Sequence, residues 1–321
     1  MNVKVSAYRI VPIATAVVGL GLISFLVAFL IRAWPEIAQS SSISFFPAIP
    51  LALAGYLGFW LLMGVTWRSA MGSLGHQIAV GDALRMWCLS MLTRYLPGGF
   101  WYGPARAFLA RKGGVPVIYS TGGLAIELLL SLTAFLIIAV VSLPFWTGLP
   151  GFGGGILTLV LAPALLIISI PGIFNRILSK VSRVLYGDGE SPAIGYGSHL
   201  RLLGQYLAIA LLYSLGTYFV FSTLLLPTDG RQVLFVMGAA SLAWALGVLS
   251  PGVPGGIGVR EGALVGFLSL ECPVAVGVAV ALLSRFLVVA AELLCLAGGM
   301  GQSRVKSWLL ARRSFGLAEK V

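Results

Sequence analysis

The sequence is poor in the residues from which most active sites are built. Its 321 residues include two histidines, three cysteines and ten acidic side chains, and only 10% of the chain is charged. Cys88, Cys272 and Cys295 have no metal-binding or redox spacing, and His76 and His199 stand alone in polar stretches. A metal centre, a disulfide framework and Cys-His or Ser-His-Asp chemistry therefore have no sequence basis, and no cofactor is expected. The cysteines read as small apolar fillers and the histidines as solvated side chains. Also missing is the polar-apolar alternation of a membrane barrel.

What fills the chain is apolar. It is 59% hydrophobic with a mean hydropathy of +0.99, more than a water-soluble domain of this length can bury. Several runs reach the roughly 20 residues that cross a hydrocarbon core of about 30 Å as a helix. The expectation is an all-α polytopic membrane protein forming one integral domain. Full spans are expected at 10–31, 48–67, 117–143, 152–173, 202–226 and 274–299. The first follows Lys4 and Arg9 as a signal sequence would, but it is too long for a signal core and is expected to be retained. The net charge of +11 belongs to loops, where the positive-inside rule accounts for it, so nucleic acid is not implied.

Two apolar segments do not read as simple spans. Segment 83–112 breaks at LPGGFWYGP (96–104), and segment 232–271 breaks at SPGVPGGIGVREGAL (250–264). Lys4 and Arg9, Arg68 and Arg85, the cluster Arg176, Lys180, Arg183 and Arg201, and the tail with Arg304, Lys306, Arg312 and Arg313 all favour the cytoplasm; the uncharged loop 144–150 favours the outside. These assignments agree when each broken segment dips into the membrane and returns, the first from the cytoplasm and the second from outside. That arrangement is an inverted repeat, with halves 1–143 and 151–301, a basic tail at 302–321, about eight hydrophobic segments and both termini cytoplasmic. A Pro-Gly pair stands nine residues before an arginine in each half, Pro97-Gly98 before Arg106 and Pro251-Gly252 before Arg260. Segment 233–250 is nearly long enough to span alone, which would move the tail outside.

Non-helical backbone at membrane depth persists where protein or a polar cavity satisfies it. The expected breaks are Pro97, Gly98 and Gly99 in the first segment, and Pro251, Gly252, Pro254, Gly255, Gly256 and Gly258 in the second. Pro104 suits the first position of the helix that follows, which puts Arg106 and Arg260 in first turns. A cation there opposes the helix dipole, but with the free N–H groups it makes an anion site. Glu127 lies mid-span, Arg285 and Glu292 lie two turns apart on one face, and the adjacent Arg260 and Glu261 point about 100° apart and cannot pair. Charges at such depth default to function. For any single one the competing reading is a pair that glues helices together; several gathered near two breaks argue for a shared site. Arg94 and Arg111, near the cytoplasmic edge, are expected to snorkel. Trp101 and Tyr102 stack on a ligand or pack the hairpin tip, and Gly122-Gly123 and 153–155 read as close helix contacts.

RYLPGGFWYGPARAFLARKGG (94–114), Glu127 in its span, PGGIGVREGAL (254–264) and LLSRFL (282–287) together resemble the flippase-like transmembrane domain of lysylphosphatidylglycerol synthases, a family that also includes stand-alone bacterial and archaeal membrane proteins. The resemblance covers nearly the whole chain. It implies the cell membrane of a prokaryote and the handling of anionic or aminoacylated phospholipids, or other lipid-linked intermediates, with a separate lipid-synthesising enzyme as a partner. It does not imply aminoacylation, which belongs to a soluble domain expected to be absent here.

Three functions compete. In a lipid flippase or transporter, Arg106 and Arg260 contact phosphate, Glu127, Glu261 and Glu292 hold a cationic headgroup or the arginines, and Arg285 completes the network. In a membrane transferase acting on a phospholipid or polyprenyl-phosphate, a glutamate such as Glu261 would be a lone general base. In a proton- or ion-coupled small-solute transporter, Glu127 would be the relay. The first is the expectation, with no enzyme activity.

Overall fold

A computed structural model describes residues 48–96, 101–147, 153–168, 170–186, 193–225, 229–250 and 253–318, with scattered positions between 28 and 35. The expected first span at 10–31 and the breaks at Pro97, Gly98, Gly99, Pro251 and Gly252 lie outside the described residues, as do the tail side chains. The regular structure described is all helical: α1 (Ala48–Ser73), α2 (Val80–Met91), α3 (Tyr102–Lys112), α4 (Val117–Ser142), α5 (Gly153–Ile168), α6 (Pro171–Tyr186), α7 (Tyr196–Ser222), α8 (Gly230–Leu249), α9 (Val259–Leu268) and α10 (Val274–Ala318). Five stretches are long and apolar enough to cross a membrane: Ala48–Ser73, Val117–Phe145, Tyr196–Ser222, Gly230–Leu249 and Val274–Gly298. The protein is an all-helical polytopic membrane protein.

Small residues set how closely the helices approach. A Cβ on Gly55 of α1 would lie 2.8 Å from the Leu212 carbonyl oxygen, and one on Gly216 would lie 3.2 Å from that of Ala52, so α1 and α7 touch backbone to backbone. Rising numbers in α1 meet falling numbers in α7, which makes the pair antiparallel. Tyr56 and Thr217 share a buried hydroxyl hydrogen bond of 2.9 Å across it. In α4, a Cβ on Gly123 would reach 3.0 Å from Met71 and 3.1 Å from Trp67. Gly238 lets α8 close on Ser142, while Phe135 and Trp244 stack with ring centroids 3.8 Å apart. The expected small-residue contacts hold at Gly123 and Gly154, the latter against the Leu143 carbonyl, but a Cβ on Gly155 would meet open space.

Helices α2 and α3 form one hairpin, α8 and α9 another, and their bases lie at opposite ends of the bundle. At the first base, Arg68 Nε donates to the Ile78 carbonyl at 2.6 Å and His76 stacks on Tyr119 at 5.1 Å. At the second, Arg231 Nη1 donates to Glu271 Oε2 and the Thr147 amide to Glu271 Oε1, both at 2.7 Å. Although α8 has 20 residues, enough to cross alone, the chain turns at its end, and ten residues of α9 with a short turn carry it back to the level of Arg231. The tips meet inside the bundle, where a Cβ on Gly255 would stand 3.5 Å from the Tyr95 ring.

The turn of the second hairpin rests on Gly255, Gly256 and Gly258, all at positive φ (59°, 66° and 88°), a region L side chains avoid. Pro254 opens the short 3-10 turn Pro254–Gly256.

Three expectations need correction. The span expected at 152–173 is a 16-residue helix containing Pro163, about 24 Å long at 1.5 Å per residue, so the turn into α6 has to complete the passage from the end of α4, where Gly154 meets the Leu143 carbonyl, to the other end of the bundle. Pro171 disfavours helix at Ile170 and starts α6 instead. The basic stretch at 176–183 lies on α6, not in a loop: Phe174 and Leu178 are buried, Arg176 and Lys180 exposed, and Asn175 pairs with the main chain of Ile194 in both directions at 3.0 and 3.2 Å. His199 is buried in α7 edge-on to Phe174, because α6 folds over it.

Gly256 is buried, and a Cβ there would lie 2.9 Å from the Gly247 carbonyl oxygen as well as forcing positive φ on an L side chain. Gly256→Ala is expected to lower stability by about 1–3 kcal/mol. Gly262→Ala, exposed in α9 with open space around the new methyl, is expected to be neutral or stabilising by up to about 1 kcal/mol. Thermal denaturation of the two variants in detergent checks the contrast.

Candidate functional site

A cavity of about 290 Å³ lies where the two hairpin tips meet. Aromatic walls come from Phe59, Trp60, Trp87 and Trp244, and the polar groups at its surface include Arg94, Glu127 and Arg260. An apolar pocket with a few convergent polar groups is the usual form of a small-ligand site, and this volume is at the small end of that range.

Around it stand four arginines and three glutamates. Arg106 is fully enclosed. Its Nη1 donates to Glu127 Oε2 at 2.6 Å and its Nε to Ser90 Oγ at 3.1 Å, while Trp87 Nε1 donates to the same Glu127 oxygen at 3.0 Å. The guanidinium stands 5.2 Å from the Trp67 ring centre and 5.3 Å from that of Trp87. Helix α3 begins at Tyr102, two residues before the expected start at Pro104, so Arg106 is in the second turn and points into the packed interior rather than at a helix end.

Arg94 does not snorkel. Its side chain is only 14% exposed and pairs with Glu292 at 2.6 Å, while the Tyr95 hydroxyl donates to the same carboxylate oxygen at 2.7 Å. The guanidinium lies over Trp60, 4.7 Å from the ring centre. Pairing with α10 outweighs the aqueous edge because Glu292 is itself buried and needs a cation. Arg285 and Glu292 do share a face of α10, yet at about 10 Å along the axis they are too far apart to pair. Arg285 reaches Glu261 instead, at 3.5 Å.

Glu261 holds the start of α9: its Oε2 accepts the Gly258 amide at 2.6 Å, closing the open end of the helix. Its Oε1 is buried and accepts no hydrogen bond. Arg260, next in the chain, turns the other way. It hydrogen-bonds the Tyr213 hydroxyl and stacks over that ring, 4.6 Å from its centre. Each glutamate of the cluster thus has an arginine, and Arg260 is the cation that has no carboxylate partner among the described residues.

Of the six residues singled out in the sequence, Glu127 and Arg260 reach the cavity wall, Arg106 stands behind Glu127, and Glu261, Arg285 and Glu292 form the layer behind the tips. Trp101 faces outward and Tyr102 lines the cavity. Arg94 and Tyr213 were not foreseen; the i,i+7 spacing of Arg285 and Glu292 was the signal that Glu292 needed a cation from another segment, whereas nothing in the pattern around Tyr213 marks it out. In the turn after α9, burial and the neighbouring Glu271 push the Cys272 thiol up to about 11, so it stays protonated at neutral pH and is a poor nucleophile.

The profile of the lysylphosphatidylglycerol synthase transmembrane region matches residues 13–295, and the chain belongs to this family. No curated protein matches the chain significantly. The family is linked to the handling of lipid in the membrane, and membership points to a phospholipid as the ligand class.

Losing either partner of the Arg106–Glu127 pair strands a buried charge. Arg106→Gln and Glu127→Gln are each expected to cost about 3–5 kcal/mol, and the double substitution markedly less than their sum. A double-mutant cycle on thermal stability in detergent measures this.

Proposed function

We propose that the protein is a lipid flippase or transporter in which the phosphate of an anionic or aminoacylated phospholipid, or of another lipid-linked intermediate, binds Arg260 in the cavity while its acyl chains stay in the bilayer. The observation that carries the reading is the charge balance: a partly buried cation with no carboxylate partner among the described residues, facing a cavity, is stabilised when an anion joins it. The planar guanidinium suits a phosphate bidentately. About 290 Å³ suits a headgroup rather than a whole lipid, as a path along the bilayer requires. A membrane transferase or an ion-coupled solute transporter would use the same glutamates, but here each of those is engaged by an arginine.

In this reading α2–α3 and α8–α9 are re-entrant hairpins entering from opposite sides, and α1 to α4 and α7 to α10 are the halves of an inverted repeat, a common transporter plan with the ligand near the midplane. In support, each hairpin closes on itself at its base and the bases lie at opposite ends. The end bearing Arg68, Arg85, Arg176, Lys180 and Arg201 is the cytoplasmic one by the positive-inside rule, which puts the tail inside. Cysteines placed at Gly75 and Thr147 are expected to label from opposite sides of sealed membranes. Labelling of both from one side overturns the topology.

Arg260→Lys is expected to weaken lipid binding and translocation, and Arg260→Ala to abolish them, with thermal stability close to that of the parent. Translocation of fluorescent phosphatidylglycerol in proteoliposomes, measured beside the melting temperature, separates the outcomes: stability and transport falling together means that Arg260 is structural.

A further inference from the structure

Resting on the reading of Arg260 as the phosphate contact, we propose that Glu261 is a charge filter that makes the site select phosphodiester headgroups, which carry one negative charge, over terminal phosphomonoesters, which carry two. The ledger of charges around the hairpin tips leads to this. Arg94 is neutralised by Glu292 at 2.6 Å and Arg285 by Glu261 at 3.5 Å, which leaves the single charge of Arg260. A singly charged phosphate closes that sum. A doubly charged one leaves a surplus negative charge in a low-dielectric space, where it is poorly screened.

Glu261 has the placement the role demands. It adjoins Arg260 in the chain without pairing to it, and it is about 94% buried, so water does little to weaken its field. Its Oε1 accepts no hydrogen bond, so among the described residues only the charge of Arg285 offsets that oxygen. Arg285 stands off at 3.5 Å and accounts for no hydrogen bond to it. The guanidinium of Arg285 also comes within 3.7 Å of where a Cβ on Gly255 would sit, at the cavity wall. Without the negative charge of Glu261, Arg285 and Arg260 would together offer two positive charges to the ligand. The filter is thus one carboxylate holding one of two neighbouring arginines in check.

Glu261→Gln is the direct test, because the amide oxygen can still accept the Gly258 N–H and keep the helix start closed. The probes are phosphatidylglycerol, a phosphodiester, and phosphatidic acid, a phosphomonoester, with identical acyl chains. Binding to the detergent-solubilised protein is measured at pH 8, where the second ionisation of a monoester, near about pH 6, is complete. The parent protein is expected to prefer phosphatidylglycerol by about tenfold, and Glu261→Gln to abolish or invert that preference. Arg285→Gln, which takes the site's sum from one positive charge to none, is expected to move the preference the other way and decides the matter should Glu261→Gln not fold. A parent that binds both lipids equally or favours phosphatidic acid, or a preference unchanged in both variants, overturns the filter and leaves the lipid site standing. A parent that binds neither lipid overturns the lipid site itself.

Discussion

An arginine cannot shed its proton inside a membrane, and the architecture of this protein follows from that constraint. A buried lysine or carboxylic acid can escape the cost of desolvation by becoming neutral, but a guanidinium must be met by an anion, an aromatic face or a strong acceptor. Four arginines stand at the centre of the bundle, and their partners come from segments far apart in the chain: Glu127 for Arg106, Glu292 for Arg94, Glu261 for Arg285 and the Tyr213 ring and hydroxyl for Arg260. The helices are packed so that these meetings happen. Trp60, Trp67 and Trp87 each offer a π face to one of these cations.

The hairpins are the means by which charge reaches that depth. A continuous helix would carry its arginines past the centre of the bundle at intervals, whereas a helix pair that turns back places its tip there, with a run of backbone free to adopt shapes a helix forbids. Gly255, Gly256 and Gly258 supply that freedom on the second tip. The carboxylate of Glu261 then satisfies the first amide that the turn leaves open, so one residue closes the helix and sets the electrostatics beside the cavity.

Much of this was legible in the sequence because the signals were extreme. Apolar length marked the helices at 48–73, 117–142, 196–222 and 274–298, and Gly255, Gly256 and Gly258 marked the turn before α9. The unusual charges Arg106, Glu127, Arg260, Glu261, Arg285 and Glu292 announced themselves by standing in apolar runs. Their pairing was not legible, since partners such as Arg94 and Glu292 lie nearly 200 residues apart and hydropathy carries no distance information. Arg94 looked like an edge residue because its depth depends on how α2 and the 3-10 turn Leu92–Tyr95 that follows it sit in the bundle. The short α5 and the buried His199 escaped the reading for a related reason: apolar length alone set the span at 152–173, while the chain ends that helix at Ile168 and uses Pro171 to begin an amphipathic one that folds over α7.

Helix α10 carries Arg285 and Glu292 on one face, and through them it grips both tips, Glu261 in the second hairpin and Arg94 in the first. A single rigid rod bonded to two opposed elements makes them mechanically dependent. If the rod slides or rolls to free one tip, it pulls on the other, so the two sides of the cavity do not open independently of one another. Were the pairs so coupled, reciprocity would require that loosening Arg285 from Glu261 and loosening Arg94 from Glu292 affect each other equally. The last helix is in this sense a crossbar between the two tips.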